Sequence, residues 1–225
     1  MQPQFDRFKD AAWFPKDEET VMIGGAGGIG SWLAIFLTRA GFDVMIHDFD
    51  VIEEHNLGGQ LFRHSDIGKF KVVALYEIIR EFNNKEINTN VIPISIISPT
   101  HHFMFSAFDN MKARQDLFEV WKRSILNCPV TPIFIDGRLE MEQLQIFCVT
   151  PDKISEYEEN LFNDSEVQDA PCTMKQTSHC AAMIASLMTA FFTNHMTNIY
   201  ERNRDRDVPF YHEFYIPLSM TNNDI

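Results

Sequence analysis

The chain has 225 residues, of which 45% are hydrophobic and 23% charged, values that suit a globular protein able to bury a sizeable core. Its formal net charge of −13, from 32 acidic against 19 basic residues, sets the surface against nucleic-acid phosphates and anionic membranes. That excludes polyanion binding as the main task but leaves room for one small basic pocket, and no apolar run reaches membrane-spanning length.

Residues 1–19 are polar with aromatic insertions (Phe5, Phe8, Trp13, Phe14) and read as an N-terminal helix or arm that packs on something; they lack an apolar signal core. Residues 20–23 form a short apolar strand that runs into a glycine cluster at 24–30. A helix over 31–40 follows, ended by Gly41, and then a strand over 43–47. Helical spacing returns at 71–82, with Val72, Leu75, Tyr76 and Ile79 on one side. Strands are expected over 88–96 and 102–108, a helix capped by Asn110 to about Leu126, and strands over 132–135 and 144–149, this last pair antiparallel. A short helix over 154–162, an acidic loop over 163–169, a long apolar helix over 177–200 and a final strand within 210–218 complete the chain. Strands alternating with helices predict an α/β, Rossmann-like fold: a mainly parallel sheet with antiparallel strands toward the C-terminal part and helices on both faces. The expected organisation is one domain over 1–225, with an arm at 1–19, a nucleotide-binding core at 20–150 and a C-terminal helix and tail at 151–225.

Gly25-Ala26-Gly27-Gly28-Ile29-Gly30 fits G-x-G-x-x-G between a strand and a helix, the context that motif requires. Gly25 allows the tight turn, Gly27 lets backbone approach a phosphate or ribose, and Gly30 permits close helix-to-strand packing, while the helix N-terminus favours an anion. The loop alone does not separate dinucleotides from ATP. Asp48, 18 residues beyond Gly30 at the end of the second strand, suits a ribose-binding acid. Lys71 begins a helix and can place a point charge on a triphosphate. Asp109 follows an apolar strand, at an end of the sheet where open α/β folds place ligands.

The succession Gly25–Gly30, then Asp48-Phe49-Asp50-Val51, Asn56-Leu57-Gly58-Gly59-Gln60 and Gly68-Lys69-Phe70-Lys71, in this order and spacing, resembles the ThiF/MoeB/ubiquitin-activating superfamily over about residues 20–150. The resemblance implies an adenylate-forming enzyme that binds ATP. It puts Asp48 on the ribose, Lys71 on the phosphates, and Asp50, Asn56 and Gln60 with Gly25, Gly27, Gly28 and Gly30 among the nucleotide-binding residues. It makes Asp109, in Asp109-Asn110-x-x-x-Arg114, the ligand of the Mg2+ on ATP, since a carboxylate facing a triphosphate needs a cation between them. Arg114 would orient that segment, and Arg138, in Asp136-Gly137-Arg138, would meet the substrate carboxylate or the developing charge on phosphorus.

The chain departs from its relatives in places. Relatives with N-L-x-R-Q carry an arginine where this chain has Gly59; Arg63 is a nearby substitute. Relatives borrow an arginine from the N-terminal helix of the other subunit, a role for which Arg7 is the early candidate and which implies a homodimer. The zinc-binding C-x-x-C pairs are absent, so no zinc is expected, and because the four cysteines suggest no disulfide framework a cytoplasmic setting is expected. Pro171-Cys172-Thr173-Met174-Lys175 resembles the segment around the thioester cysteine of ubiquitin-activating enzymes, which makes Cys172 a catalytic candidate.

The expected function is therefore activation of the C-terminal carboxylate of a small ubiquitin-like or sulfur-carrier protein as an acyl-adenylate, with ATP and Mg2+ and without nucleic acid or membrane partners. Two rivals share the fold. An NAD-dependent oxidoreductase has no use for Lys71 or for the 56–60 and 68–71 segments, and a non-catalytic nucleotide-binding module draws its support from Gly59.

Overall fold

A computed structural model describes residues 3–16, 19–95, 97–126, 128, 130–162, 177–201 and 205–223. One eight-stranded sheet carries the architecture, in the order β3-β2-β1-β4-β5-β6-β7-β8. The strands are β1 (Thr20–Gly24), β2 (Asp43–His47), β3 (Asn88–Asn90), β4 (Phe103–Ser106), β5 (Ile133–Glu140), β6 (Gln143–Val149), β7 (Tyr211–Tyr215) and β8 (Met220–Asn222). Strands β1 to β5 pair in parallel and β5 to β8 antiparallel, the mixture expected from the sequence.

The parallel strands are apolar runs because both their faces are covered. On one face α1 (Gly28–Arg39), α2 (Lys71–Asn83) and the long α5 (Ser178–Tyr200) pack Leu33, Leu75, Ile79, Met188 and Phe192 against Ile23, Ile46, Phe105 and Ile135. On the other, α3 (Met111–Ser124) and the short α4 (Ile154–Glu158) pack Phe118, Trp121 and Tyr157 against Met22, Met104, Phe134 and Phe147. Local signals hold the helix ends. Asn110 caps α3, its side chain accepting from the Ala113 N–H at 2.8 Å, and Asn84 closes α2 in the left-handed region.

Several elements differ from expectation. Strand β3 stops at Asn90 rather than running to 96, because Pro93 cannot donate to a ladder and the Asn90 carbonyl already accepts from Asp48 N–H. Strand β4 ends at Ser106, and the chain turns as Ala107 N–H bonds the Gly24 carbonyl. The α4 helix is one turn shorter than the 154–162 span, and β8 was not anticipated. The arm forms only a short 3-10 turn at Pro3–Phe5 and then turns, held by a cluster of Phe5, Phe8, Trp13 and Phe14 rings. It sits at the amino end of the sheet, where Phe14 fills the space a side chain on Gly41 would take and Lys85, bonded to the Gly41 carbonyl, lies over the Phe5 ring.

Candidate functional site

Strands β2, β1, β4 and β5 end in one row: register aligns His47 with Gly24, Gly24 with Ser106, and Ser106 with Asp136. From this row α1 leaves β1 toward one face and α3 leaves β4 toward the other, so a crevice opens at the reversal of strand order.

The three motif glycines have separable roles. Gly25 takes a φ of +94° and donates to the His47 carbonyl at 2.9 Å; a Cβ there would lie 2.8 Å from the Ala107 carbonyl. At Gly30 a Cβ would come within 1.9 Å of the Gly25 carbonyl, so this glycine lets α1 pack on the turn. At Gly27 nothing lies within 4 Å of that position, and the loop is open there. Gly27 is also the N-cap of α1, which begins at Gly28 with no side-chain cap, so the first-turn N–H groups stand ready for an anion.

Two acids and one cation flank the loop. Asp48 accepts from the Ala26 and Asp50 N–H groups, both at 2.7 Å. Burial raises its pKa, against the Ala26 bond and the nearby Lys71 charge that favour the carboxylate. Lys71 is 8% exposed and does not point into solvent: its Nζ lies 2.7 Å from Asp50 Oδ2 and its N–H donates to the Asp50 carbonyl at 2.9 Å. Beside them His47 Nε2 meets Asn90 Nδ2 at 3.1 Å, and its pKa is lowered to about 4 by burial and by His101, so it is neutral at ordinary pH.

The segment that delivers Lys71 is tied down throughout. Val51 bridges to Phe70, and Ile52 exchanges backbone bonds with Lys69 and Gly68. Asp66, fully buried, accepts from Arg63 Nε at 2.9 Å and Lys69 Nζ at 3.2 Å. Asn56 spends its side-chain oxygen on the Glu53 N–H at 2.9 Å, a turn-forming bond rather than one aimed at the crevice. Gln60 Oε1 is buried without a hydrogen-bond partner among the described residues. Gly59 is buried and its carbonyl accepts from the Trp32 indole at 3.3 Å. Arg63 does not substitute for the family arginine, because Asp66, Glu77 and Glu81 hold its guanidinium, the last at 2.6 Å.

Across the crevice Asp109 is exposed at the end of β4, and α3 is capped by Asn110, so Asp109 is not consumed as a helix cap. Its carboxylate has, among the described residues, a 3.4 Å contact from Asn110 Nδ2. Among the described residues no group of three or more His, Cys, Asp or Glu side chains converges to hold a metal. An ion at Asp109 would take its remaining ligands from phosphate and water, as magnesium commonly does.

Arg114 reaches the backbone just before Asp109 and ion-pairs with Asp136. It is 6% exposed, bonds Asp136 and the Phe108 carbonyl, and donates to the Gly137 carbonyl at 3.0 Å. Burial alone would raise the pKa of Asp136, but Arg114 and Arg138 outweigh it and hold this carboxyl below the usual range. Arg138 is no surface arginine. Its Nε lies 2.8 Å from Asp136, its Nη1 donates to the Asn160 carbonyl, its plane lies over Phe147, and its Nη2 is buried without a hydrogen-bond partner among the described residues. Sequence reasoning missed Asp136 as the hub of this cluster, to which the Tyr157 hydroxyl also donates at 2.9 Å. It missed Asp66 as well; each acid stands two or three residues from one of its basic partners, which was the available signal. Arg7, exposed on the arm at the amino end of the sheet, is not brought to its own chain's crevice. Cys172 lies outside the described residues.

A separate cavity of about 630 Å3, lined in part by Thr131, Cys148, His195 and Phe210, opens at the amino end of β5, away from the crevice. No helix among the described residues is long and apolar enough to cross a membrane.

Known proteins resemble the chain as follows. The model of the ThiF family matches residues 16–220. The tRNA threonylcarbamoyladenosine dehydratase of Haemophilus influenzae is 30% identical over 137 residues, 56% of this chain and 51% of that protein. The adenylyltransferase and sulfurtransferase uba4 of Aspergillus clavatus is 43% identical over 65 residues, 28% of this chain and 13% of that protein. The chain thus spans at most about half the length of these two relatives. Among solved structures, E. coli MccB with ATP superposes with a TM-score of 0.71 at 16% identity, covering 100% of this chain and 71% of that one, a likeness of fold.

Proposed function

The chain belongs to the ThiF family, and from that premise we propose that it is an ATP-dependent adenylyltransferase of the ThiF type, with residues 1–225 acting as one adenylation domain. The observation that carries the reading is the joint presence, around one crevice, of an uncapped glycine-rich helix start, the buried Lys71 and the unspent carboxylate of Asp109. Amide N–H groups and one ammonium neutralise phosphate, while an acid opposite them suits a triphosphate only with a cation between. Asp109 is the residue to hold Mg2+, which when bound supplies charge neutralisation to the phosphates.

In this reading the ATP ribose meets Asp48 and the phosphates meet the N-terminus of α1 and Lys71. Gln60, with its unpartnered buried oxygen, lines the nucleotide site; Asn56 shapes its wall. A substrate carboxylate oxygen attacks the α-phosphorus, the bond to the bridging oxygen of the β-phosphate breaks, and acyl-adenylate and pyrophosphate result. The chain's part is positioning and charge placement. Arg138 Nη2, buried and without a hydrogen-bond partner among the described residues, is the donor offered to an incoming carboxylate, while Nε and Nη1 are bonded within the protein. The substrate in this reading is the C-terminal carboxylate of a small ubiquitin-like or sulfur-carrier protein, and the activities in the name of uba4, adenylyl and sulfur transfer, suit such a substrate. Cys172 is proposed to accept the acyl group, and Arg7 to serve the site of a second copy in a homodimer.

One observation favours a second reading: the dehydratase relative covers 56% of this chain, twice the share of uba4, and its name gives it a modified tRNA nucleoside as substrate. The net charge of −13 weighs against tRNA. The test is ATP–pyrophosphate exchange with candidate carrier proteins in one series and tRNA in another. Exchange stimulated by a carrier and lost in Asp109→Ala is the expected result; exchange that survives Asp109→Ala defeats the magnesium assignment, and stimulation by tRNA alone selects the second reading.

A further inference from the structure

We propose that Asp50 is a competing counter-ion for Lys71, a carboxylate that holds the ammonium in the empty site and must release it to the nucleotide phosphates. The inference rests on the nucleotide-site reading above, and it departs from the resemblance, which grouped Asp50 with residues that bind the nucleotide.

The geometry is asymmetric. Lys71 has a side chain 9% exposed, and its Nζ lies 2.7 Å from Asp50 Oδ2, whereas the Asp50 side chain is 53% exposed. An ammonium taken out of water needs a counter-charge, and Asp50 supplies it. The backbone on both sides is fixed, since the Asp50 N–H donates to Asp48 Oδ1 at 2.7 Å and the Asp50 carbonyl accepts from the Lys71 N–H at 2.9 Å. Only the Asp50 carboxylate is free to turn, and the side where it turns is solvent.

Charge decides what happens when a nucleotide enters. Lys71 sits among two carboxylates, Asp50 in contact and Asp48 close enough for the lysine charge to act on it. The trio is net negative beside the α1 N-terminus, so an arriving phosphate is repelled unless the ammonium changes partner. Asp48 cannot give way, because its oxygens hold the Ala26 and Asp50 N–H groups. Asp50 can: water solvates its carboxylate once Lys71 leaves it. The pair therefore keeps Lys71 in place and desolvated at the cost of affinity for the nucleotide, and Asp50 is a positioning residue that acts through the lysine.

Asp50→Asn keeps the shape and removes the competing charge. Titration calorimetry with ATP and MgCl2 is expected to show nucleotide binding about threefold to fivefold tighter than wild type, the range of a half-exposed ion pair. Lys71→Gln is expected to weaken binding, and adding Asp50→Asn to Lys71→Gln is expected to change nothing further, because no ammonium remains to compete for. Asp50→Glu should retain wild-type affinity. A merely structural Asp50 would instead lower the melting temperature and weaken binding in Asp50→Asn; that result, or an Asp50→Asn gain that persists in the Lys71→Gln background, overturns the proposal. If the wild-type protein binds no ATP, the nucleotide-site reading itself falls, an outcome distinct from wild-type binding with no gain in Asp50→Asn, which overturns the counter-ion role alone.

Discussion

Replacing Arg114 with methionine tests how the structure holds its magnesium candidate. Arg114 has a side chain 8% exposed and faces Asp136, which is 0% exposed, so the variant strands a carboxylate where water does not reach. Breaking a buried pair from one side typically costs about 3–5 kcal/mol. Here the low end applies, about 3 kcal/mol, because Asp136 keeps Arg138 at 2.8 Å and the Tyr157 hydroxyl at 2.9 Å. In a chain of this size that is a fall of about 6–12 °C in melting temperature. The sign with pH is fixed by Asp136, whose folded pKa is depressed: its contribution is present above the ordinary carboxylate value of 3.8 and is lost as pH falls through the lower folded value. Without Arg114 that pKa rises, so the acid loss should begin at higher pH than in wild type. Urea titrations of wild type, Arg114→Met, Asp136→Asn and the double variant, from neutral pH down to about 3, measure both effects. A loss below about 1 kcal/mol for Arg114→Met, or independent additive losses in the two single variants, would refute the buried-pair argument.

Other outcomes follow from single positions. Gly30→Ala sets a methyl 1.9 Å from the Gly25 carbonyl and should cost about 1–3 kcal/mol in urea unfolding. Gly27→Ala meets no neighbour within 4 Å and should cost at most about 1 kcal/mol, the penalty of alanine at an N-cap, yet weaken ATP binding by calorimetry because the methyl stands where backbone must approach phosphate. Lys71→Gln should weaken that binding about tenfold or more, the effect of one ammonium on a phosphate in a partly screened site. Asp66→Asn, which loses charge-assisted bonds from Arg63 and Lys69, should destabilise the protein by about 2 kcal/mol and loosen the segment before Lys71, seen as faster amide exchange over 63–70.

Much of the fold was legible because its signals are local. The apolar runs of β1, β2 and β4, the periodicity of α2 and α5 and the caps at Asn110 and Gly41 each lie within a few residues of the feature they set. The crevice was legible for a related reason: Gly25–Gly30, Asp48 and Asp109 each follow a strand, and parallel strands bring their carboxyl ends to one edge. What the sequence concealed depends on partners far along the chain. Nothing near Arg63 announces Glu77 and Glu81 as its partners, so its side chain looked available for phosphate. Nothing near Arg138 announces Phe147, Tyr157 and Asn160, which enclose it and arrive from β6, α4 and the turn beyond. Residues 1–19 read as a helix or an arm that packs on something, and the aromatic residues decide for the arm: Phe5, Phe8, Trp13 and Phe14 pack their rings against one another through tight turns.

These concealed partners bear on the largest departure from the family pattern. Where relatives supply an arginine, Gly59 instead gives its carbonyl to Trp32, while Leu61 gives its N–H to Ser31 at 3.0 Å, so this stretch serves to fasten the 59–61 segment to the first turns of α1. With Arg63 bound by three carboxylates and Arg114 spent on Asp136, the lysine at the start of α2 stands as the near-buried cation beside the glycine loop. In the proposed reading, the charge of a triphosphate is met by Lys71, by the α1 amides, by a metal at Asp109 and by a residue of a second copy. Arg7, whose arm is anchored at the opposite end of the sheet by Phe14 against Gly41 and Lys85 over Phe5, is the residue proposed for that last place. Under the proposed adenylyltransferase reading, such a site leans on a metal and a neighbouring copy where the family pattern has an arginine, and Gly59 is then a change in how the phosphates are neutralised.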